Sequence, residues 1–187
     1  MSSQTWIQCV SAAPGAGSAI TSGAAATLLT AATAAGAAVY TFPANFFYYV
    51  GQKFRAKAWG ILTTSSTGQN LTLSLVFGTG PTIVATTSAM ALKATAVTNV
   101  PWELEFTCTM RAIAGSASNN IYSGHFLSEA LLGSTSFASG VTGWNLLPTA
   151  VSSNWDNTII EKADLYATLS NTSDSITLQD YSLEAMN

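Results

Sequence analysis

Charged residues are scarce in this 187-residue chain, at 8% of the composition, whereas an average soluble domain has about 25%. The six lysines and arginines form no basic run, and proteins that bind phosphate backbones need such a run. We therefore expect no nucleic acid partner. The scarcity of charge also leaves Ser, Thr, Asn and Gly to coat the surface, as in proteins that are partly covered by partners.

The first 52 residues contain no Asp, Glu, Lys, Arg or His. A signal peptide needs a positively charged region before its apolar stretch, and this segment has none. A spanning helix needs about 20 strongly apolar residues, whereas this segment is rich in Ala, Thr and Gly. We therefore expect no membrane partner, and we interpret residues 1–40 as an extended, uncharged N-terminal arm with room for a first strand.

Cysteine and histidine are also rare. Cys9 and Cys108 show no metal-ligand spacing, so the sequence indicates neither a disulfide framework nor a zinc site. His125, the single histidine, has no nucleophile motif beside it, and phosphate-cradling glycine motifs are missing. We therefore expect no cofactor and a structural role for His125, while the scattered acidic residues leave a surface calcium ion open.

Period-2 alternation is the clearest positive signal. In "WELEFTCTM" (102–110) and "LTLSLVF" (71–77), apolar residues alternate with polar ones, which is typical of half-buried antiparallel strands. The stretch "KFRAKAWGIL" (53–62) places its three charges on one face in the same way. With turn-forming stretches between them, these segments predict an all-β fold, with residues 41–187 as one sandwich domain. Further strand candidates are 82–90, 120–131, 162–170 and 175–186.

Glu103 and Glu105 are the one arrangement that suggests catalysis. Residues two positions apart on a strand share a face at roughly 6.5–7 Å, and an inverting glycosidase needs its two carboxylates at about this separation. Two acids on the exposed face of a strand are nevertheless ordinary, and nothing near them in the sequence would raise the pKa of one. We therefore expect a protein without enzymatic activity, with a glycosidase as the least favoured alternative.

Aromatic residues are the strongest candidates for a binding surface. Five of them fall within eight positions, 42–49. A turn at Pro43 and Asn45 is expected to deliver the next two residues into the domain and to leave part of the following tyrosine pair at the surface. Because successive strand residues face opposite sides, these four rings cannot all enter one core. The predicted intersubunit contacts are Phe46, Phe47, Tyr48, Tyr49 and Trp59.

Trp144 and Trp155 are predicted to be surface aromatics, since they fall in loops or on the non-core side of a strand. Such rings can stack on a sugar or a peptide, and burial in an interface would use them equally. A carbohydrate-binding module that reads sugars with Trp144, Trp155 or Trp59 is therefore one alternative function.

Four stretches, "TFPANFFYYVGQKFRAKAWGILTT", "NLTLSLVFGTG", "TNVPWELEFTCTMRAIAG" and "GHF", together resemble a group of virion structural proteins of tailed bacteriophages. The resemblance covers roughly residues 25–130. It implies an antiparallel jelly-roll sandwich, similar to tumour-necrosis-factor-like and capsid-decorating folds, that often assembles as a trimer. No catalytic residues come with it.

The resemblance and the composition together predict a non-enzymatic virion protein. The favoured role is a capsid decoration protein that binds the major capsid protein at the outer shell and copies of itself, as a homotrimer. This role implies the capsid surface as its location, with the host cytoplasm during assembly. A module of the tail or baseplate is the alternative within the virion, and residues 133–160 receive no role.

Overall fold

The computed structural model describes residues 7–21, 23–78, 82–115, 117–133, 143–152 and 155–186. Within these ranges the backbone forms thirteen β-strands and one short 3-10 helix, Ala34–Ala38. No helix in the described part is long and apolar enough to cross a membrane. In chain order, the strands are β1 (Ile7–Ala12), β2 (Ala26–Thr27), β3 (Tyr40–Phe42), β4 (Lys53–Thr64), β5 (Asn70–Phe77), β6 (Thr82–Thr86), β7 (Met90–Leu92), β8 (Val97–Ala112), β9 (Asn119–Ser128), β10 (Leu131–Gly133), β11 (Trp144–Val151), β12 (Glu161–Leu169) and β13 (Ser175–Met186).

The strands form two antiparallel sheets. The first sheet has the order β1-β13-β4-β8-β9-β11, and the second has the order β10-β7-β5-β12-β2, with β3 paired to β12 and β6 paired to β5. The series β1-β13-β4-β8 in one sheet and β2-β12-β5-β7 in the other is the strand order of a jelly roll. Strands β9 to β11 are inserted before β12, and two of them widen the first sheet. The predicted jelly-roll-like sandwich is confirmed.

Alternation along the strands places the core between the sheets. Every second residue of β4 from Phe54 to Thr64 is buried, and the same holds for β8 from Trp102 to Met110. The intervening side chains form the outer face of the first sheet. The strands predicted at 71–77 and 102–110 are therefore confirmed.

Strand β11 is the main element that the sequence does not predict. It contains Pro148 and lies at the edge of the first sheet, where a missing backbone N–H breaks no ladder within the sheet. The proline and the absence of strict alternation hide this strand from pattern analysis. It gives a structural role to part of the segment 133–160, of which residues 134–142 and 153–154 lie outside the described residues.

The N-terminal segment is extended, but it lies along the sandwich. Strand β1 pairs with β13, and Ile20 forms a bridge with Ile176. Four of its apolar side chains are fully buried in the common core, so this segment packs against the sandwich. The reason is that apolar residues in this stretch fill the space beside β12 and β13. Residues 1–6 lie outside the described residues. The four buried residues are Leu28, Leu29, Ala35 and Ala38.

Candidate functional site

The aromatic segment after β3 enters the core through the predicted turn. The backbone N–H of Phe46 donates to the carbonyl oxygen of Pro43 at 3.1 Å, which closes this turn. Asn45 has φ 59°, a left-handed conformation that asparagine adopts more readily than most residues. The turn directs Phe47 inward, and only 2% of this residue is exposed.

Phe47 lies in a cluster of aromatic rings. Its ring centroid is 5.0 Å from those of Phe42 and Phe54 and 5.5 Å from that of Trp155. Trp155 also packs edge-on against Phe77 at 5.1 Å. Aromatic pairs at these separations contribute about 0.5–1.5 kcal/mol beyond the burial of their area. The side chain of Trp155 therefore anchors its loop to the core.

Two sequence-based expectations are corrected here. Phe47 was predicted to contact a neighbouring subunit, and Trp155 was predicted to be a surface aromatic, but they are 2% and 3% exposed. Both are buried because the loop before β12 folds Trp155 onto Phe47. Phe46 is half-buried against the same core.

Tyr48, Tyr49 and Val50 point away from the core. All three are exposed, and Tyr48 has 68% of its surface open to solvent. The rings of the two tyrosines are in edge contact, with centroids 4.9 Å apart and planes at 70°. The predicted division of this segment between core and surface therefore falls between Phe47 and Tyr48.

A buried glutamine holds the tyrosine pair in place. The Oε1 atom of Gln52 accepts a hydrogen bond from the backbone N–H of Tyr48 at 3.1 Å, and its Nε2 atom donates to the carbonyl oxygen of Phe46 at 3.4 Å. The next backbone turn contains Gly51, whose φ of 98° favours glycine. The backbone N–H of Gly51 donates to the carbonyl oxygen of Met110 at 2.9 Å. The loop is thus fixed at both ends.

Asn157 joins this loop to two others. Its carbonyl oxygen accepts from the backbone N–H of Asn45 at 2.7 Å, and its side-chain Nδ2 donates to the carbonyl oxygen of Phe47 at 2.7 Å. Its Oδ1 accepts from the hydroxyl of Ser118 at 2.6 Å, in the loop between β8 and β9. Because Asn157 is buried and all these groups are paired, the three loops form one rigid end of the sandwich.

Two isoleucines add to the exposed surface at this end. Ile159 and Ile160 lie two and three residues after Asn157, and Ile160 is 66% exposed. We call the set Tyr48, Tyr49, Val50, Ile159 and Ile160 the apolar end. The sequence does not predict the isoleucines or Val50 as part of a site. The available signal was an adjacent isoleucine pair after the turn-forming residues "NWDNT".

A buried carboxyl group lies next to the apolar end. Glu161 lines a small cavity together with Phe46 and Ile159, and its Oε2 atom has no hydrogen-bond partner among the described residues. Burial raises the pKa of Glu161, and the negative charge of Asp156 raises it further. This carboxyl therefore holds its proton to a higher pH than an exposed glutamate does.

Trp59 and Trp144 lie elsewhere, on the outer face of the first sheet. Trp59 and Leu127 both lie opposite Glu103, one on each neighbouring strand. Trp144 lies opposite Leu127 on the next strand. Trp59 is six residues along β4 from Lys53, or about 20 Å at 3.3 Å per residue. The structure therefore does not bring Trp59 together with the tyrosine pair, and Trp144 is a partly exposed side chain.

The residues considered for catalysis lie in two separate places, the surface of the first sheet and the core. Glu103 Oε1 is 3.6 Å from Nε2 of His125, and Glu105 Oε2 is 3.3 Å from Nζ of Lys57. Cys108 is fully buried, and burial raises the pKa of its thiol, which disfavours the reactive thiolate. In the described ranges, no three His, Cys, Asp or Glu side chains are placed to hold a metal ion.

No family model matches the chain, and no curated protein matches it. Among solved structures, it is similar to the CBM2 module of the evolved Dit of Lactobacillus casei BL23 phage J-1, at 13% identity over 80% of this chain and 68% of that chain, with a TM-score of 0.32. It is also similar to infectious bursal disease virus, Gt strain, at 12% identity over 99% of this chain and 41% of that chain, with a TM-score of 0.24. At these TM-scores, neither likeness carries an argument about function.

Proposed function

We propose that this protein is a non-enzymatic structural protein of a bacteriophage virion and that it decorates the outer capsid shell as a homotrimer. The observation that carries the proposal is the apolar end. Contiguous exposed apolar side chains on a protein surface mark sites of interaction with other proteins. The phage resemblance of residues 25–130 and the low charge of the chain support the same function.

The chemistry of the apolar end fits a contact between protein subunits. Its five side chains are uncharged, and tyrosine is enriched while charged residues are depleted at the centres of such interfaces. The hydrogen bonds of Gln52 and Asn157 already order both loops. Association therefore costs little conformational entropy, and we assign the apolar end to the contact between copies around a threefold axis.

The second proposed partner is the major capsid protein. Charged residues make up only 8% of the chain, and covering a surface of small polar residues costs less hydration energy than covering a highly charged one. In this proposal the protein resides at the capsid surface, after a period in the host cytoplasm during assembly. A module of the tail or baseplate is the competing location, and it differs in copy number.

Native mass spectrometry tests the trimer. We expect the wild-type protein to give a trimer mass and the double variant Tyr48→Ser/Ile160→Ser to give a folded monomer, because both side chains are exposed in the protomer. Near-ultraviolet circular dichroism verifies the fold, since loss of the trimer itself lowers the melting temperature. Leu132→Ser is the matched control, since Leu132 is 50% exposed on β10, and it should remain trimeric. A monomeric wild-type protein, or a double variant that remains trimeric, would overturn the assignment.

Cosedimentation with capsids that lack the protein tests the second partner. We expect the wild-type protein to pellet with such capsids and to saturate at a fixed ratio to the major capsid protein. Binding of the wild type to purified tails, together with no binding to capsids, would replace capsid decoration with the tail function.

A further inference from the structure

A shallow, open groove lies on the outer face of the first sheet, and it shares no residue with the apolar end. Its volume is about 370 Å³, within the range of roughly 300–1,000 Å³ that is usual for small-molecule sites. Most of its lining lies on β4, β8 and β9, which are interior strands of the first sheet. Its lining includes Trp59, Pro101, Glu103, Leu127, Ser128 and Glu129.

The strand register brings the apolar members of this groove into one row. Trp59 on β4 and Leu127 on β9 lie on either side of Glu103 on β8. Trp144 on β11 continues the row beyond Leu127. Neighbouring strands are about 4.8 Å apart, so the two tryptophans are separated by about 14 Å across the sheet. A flat ligand of more than one ring could therefore contact both.

The charges around the groove are mainly negative. Glu103 and Glu129 line it, and Asp180 on β13 lies opposite Trp59. On this face, the Nε2 atom of His125 is 3.6 Å from Glu103, and Lys57 is paired with Glu105. The groove therefore offers carboxylate oxygens that accept hydrogen bonds, and it repels anions.

We propose that this groove binds a neutral pyranose sugar. The hydrogens on one face of a pyranose ring make that face apolar, which suits the indole of Trp59 and the side chain of Leu127. The hydroxyl groups at the ring edge donate to the carboxylates of Glu103 and Glu129. Trp144 provides a stacking surface for the next sugar of an oligosaccharide. Sialylated and uronic-acid sugars are excluded by charge.

Titration with short oligosaccharides tests this site. The probes are lactose, cellotriose, maltotriose and N-acetyllactosamine as neutral sugars and sialyllactose as the anionic sugar, each up to about 10 mM, with calorimetry and tryptophan fluorescence as readouts. We expect at least one neutral sugar to bind and sialyllactose not to bind. No response to any neutral sugar, or equal binding of sialyllactose, would overturn the proposal.

Variants locate the binding. Trp59→Ala and Glu103→Gln should each weaken the binding of that neutral sugar by about tenfold, and Trp59→Phe should retain most of it because a ring remains. Ile83→Ser, at an exposed position of β6 in the second sheet, is the matched control and should bind as the wild type does. If Trp59→Ala and Glu103→Gln both bind the sugar normally, the groove is not the site. Near-ultraviolet circular dichroism verifies that each variant is folded.

Discussion

The apolar end and the outer face of the first sheet both present aromatic rings, but their surroundings differ. At the apolar end, five uncharged side chains lie over a buried aromatic cluster. On the sheet face, Trp59 shares the surface with ion pairs, in which Arg55 is 2.5 Å from Glu184 and Lys57 is 3.3 Å from Glu105. None of these five side chains carries a charge, whereas covering the sheet face would bury these ion pairs at a cost.

This difference indicates which partner suits each surface. A second protein subunit gains most where it displaces water from apolar side chains alone. A small polar ligand suits the sheet face, because it can contact one ring and leave the neighbouring ion pairs hydrated. The four predictions below test whether the two surfaces differ in this way, beginning with the largest expected effect.

Phe47→Ala should cause the largest loss of stability. The ring fills the centre of the cluster under the apolar end, and truncation of a buried phenylalanine costs about 3–5 kcal/mol. Urea denaturation measures the free energy of unfolding. Tyr48→Ala, one residue further along, is the matched control and should lie within about 0.5 kcal/mol of the wild type. Similar losses in the two variants would contradict the division between core and surface at this point.

Gln52→Ala should lower stability less and should also weaken the trimer. The substitution leaves the backbone N–H of Tyr48 and the carbonyl oxygen of Phe46 without their side-chain partner, which costs about 1–3 kcal/mol. Because the tyrosine pair then loses its support, native mass spectrometry should show a shift from trimer toward monomer. Gln52→Glu keeps the acceptor for Tyr48 and should fall between Gln52→Ala and the wild type. A fully trimeric Gln52→Ala protein would argue against ordering by this side chain.

Glu161→Gln should change the pH dependence of stability. Burial and the charge of Asp156 raise the pKa of Glu161 in the folded protein, so the folded state binds more protons than the unfolded state between the two pKa values. Its contribution is complete below the ordinary glutamate pKa and is lost as pH rises through the raised value. Glu161→Gln should therefore be more stable than the wild type at neutral pH and show a flatter profile.

Denaturation at a series of pH values measures this difference between Glu161→Gln and the wild type. Glu129→Gln removes an exposed carboxylate and reports what the loss of charge alone does. Burial also raises the pKa of Asp164. The free energy of unfolding of Glu161→Gln should therefore still fall as pH rises, but less steeply than that of the wild type. A wild-type profile that parallels that of Glu161→Gln would exclude the effect.

Arg55→Ala should have the smallest effect. Its ion pair with Glu184 is partly exposed on the sheet face, and such pairs contribute about 0.2–1 kcal/mol. The substitution should leave the trimer intact, and the loss of stability should shrink in high salt. Lys53→Ala, on the exposed end of the same strand, is the control for loss of a positive charge. A loss of trimer in Arg55→Ala would place the subunit contact on the sheet face.

Local periodicity predicted the strands better than it predicted the site. The alternation in β5 and β8 depends only on neighbouring residues, so it was readable without the structure. The burial of Phe47 and Trp155 depends on one loop folding over another, which no local period records. The row from Trp59 to Trp144 depends on the register of four strands, and one of them is β11, which Pro148 hides from pattern analysis. The turn at Pro43 and Asn45 was readable because both residue types have strong backbone preferences.

We propose above that this chain is a virion protein present on the capsid surface. Quantitative mass spectrometry of purified virions, calibrated against the major capsid protein, tests it most directly. We expect hundreds of copies per particle, at a fixed ratio to the major capsid protein. A few copies would place the protein in the tail, and its absence from purified virions would contradict a virion function.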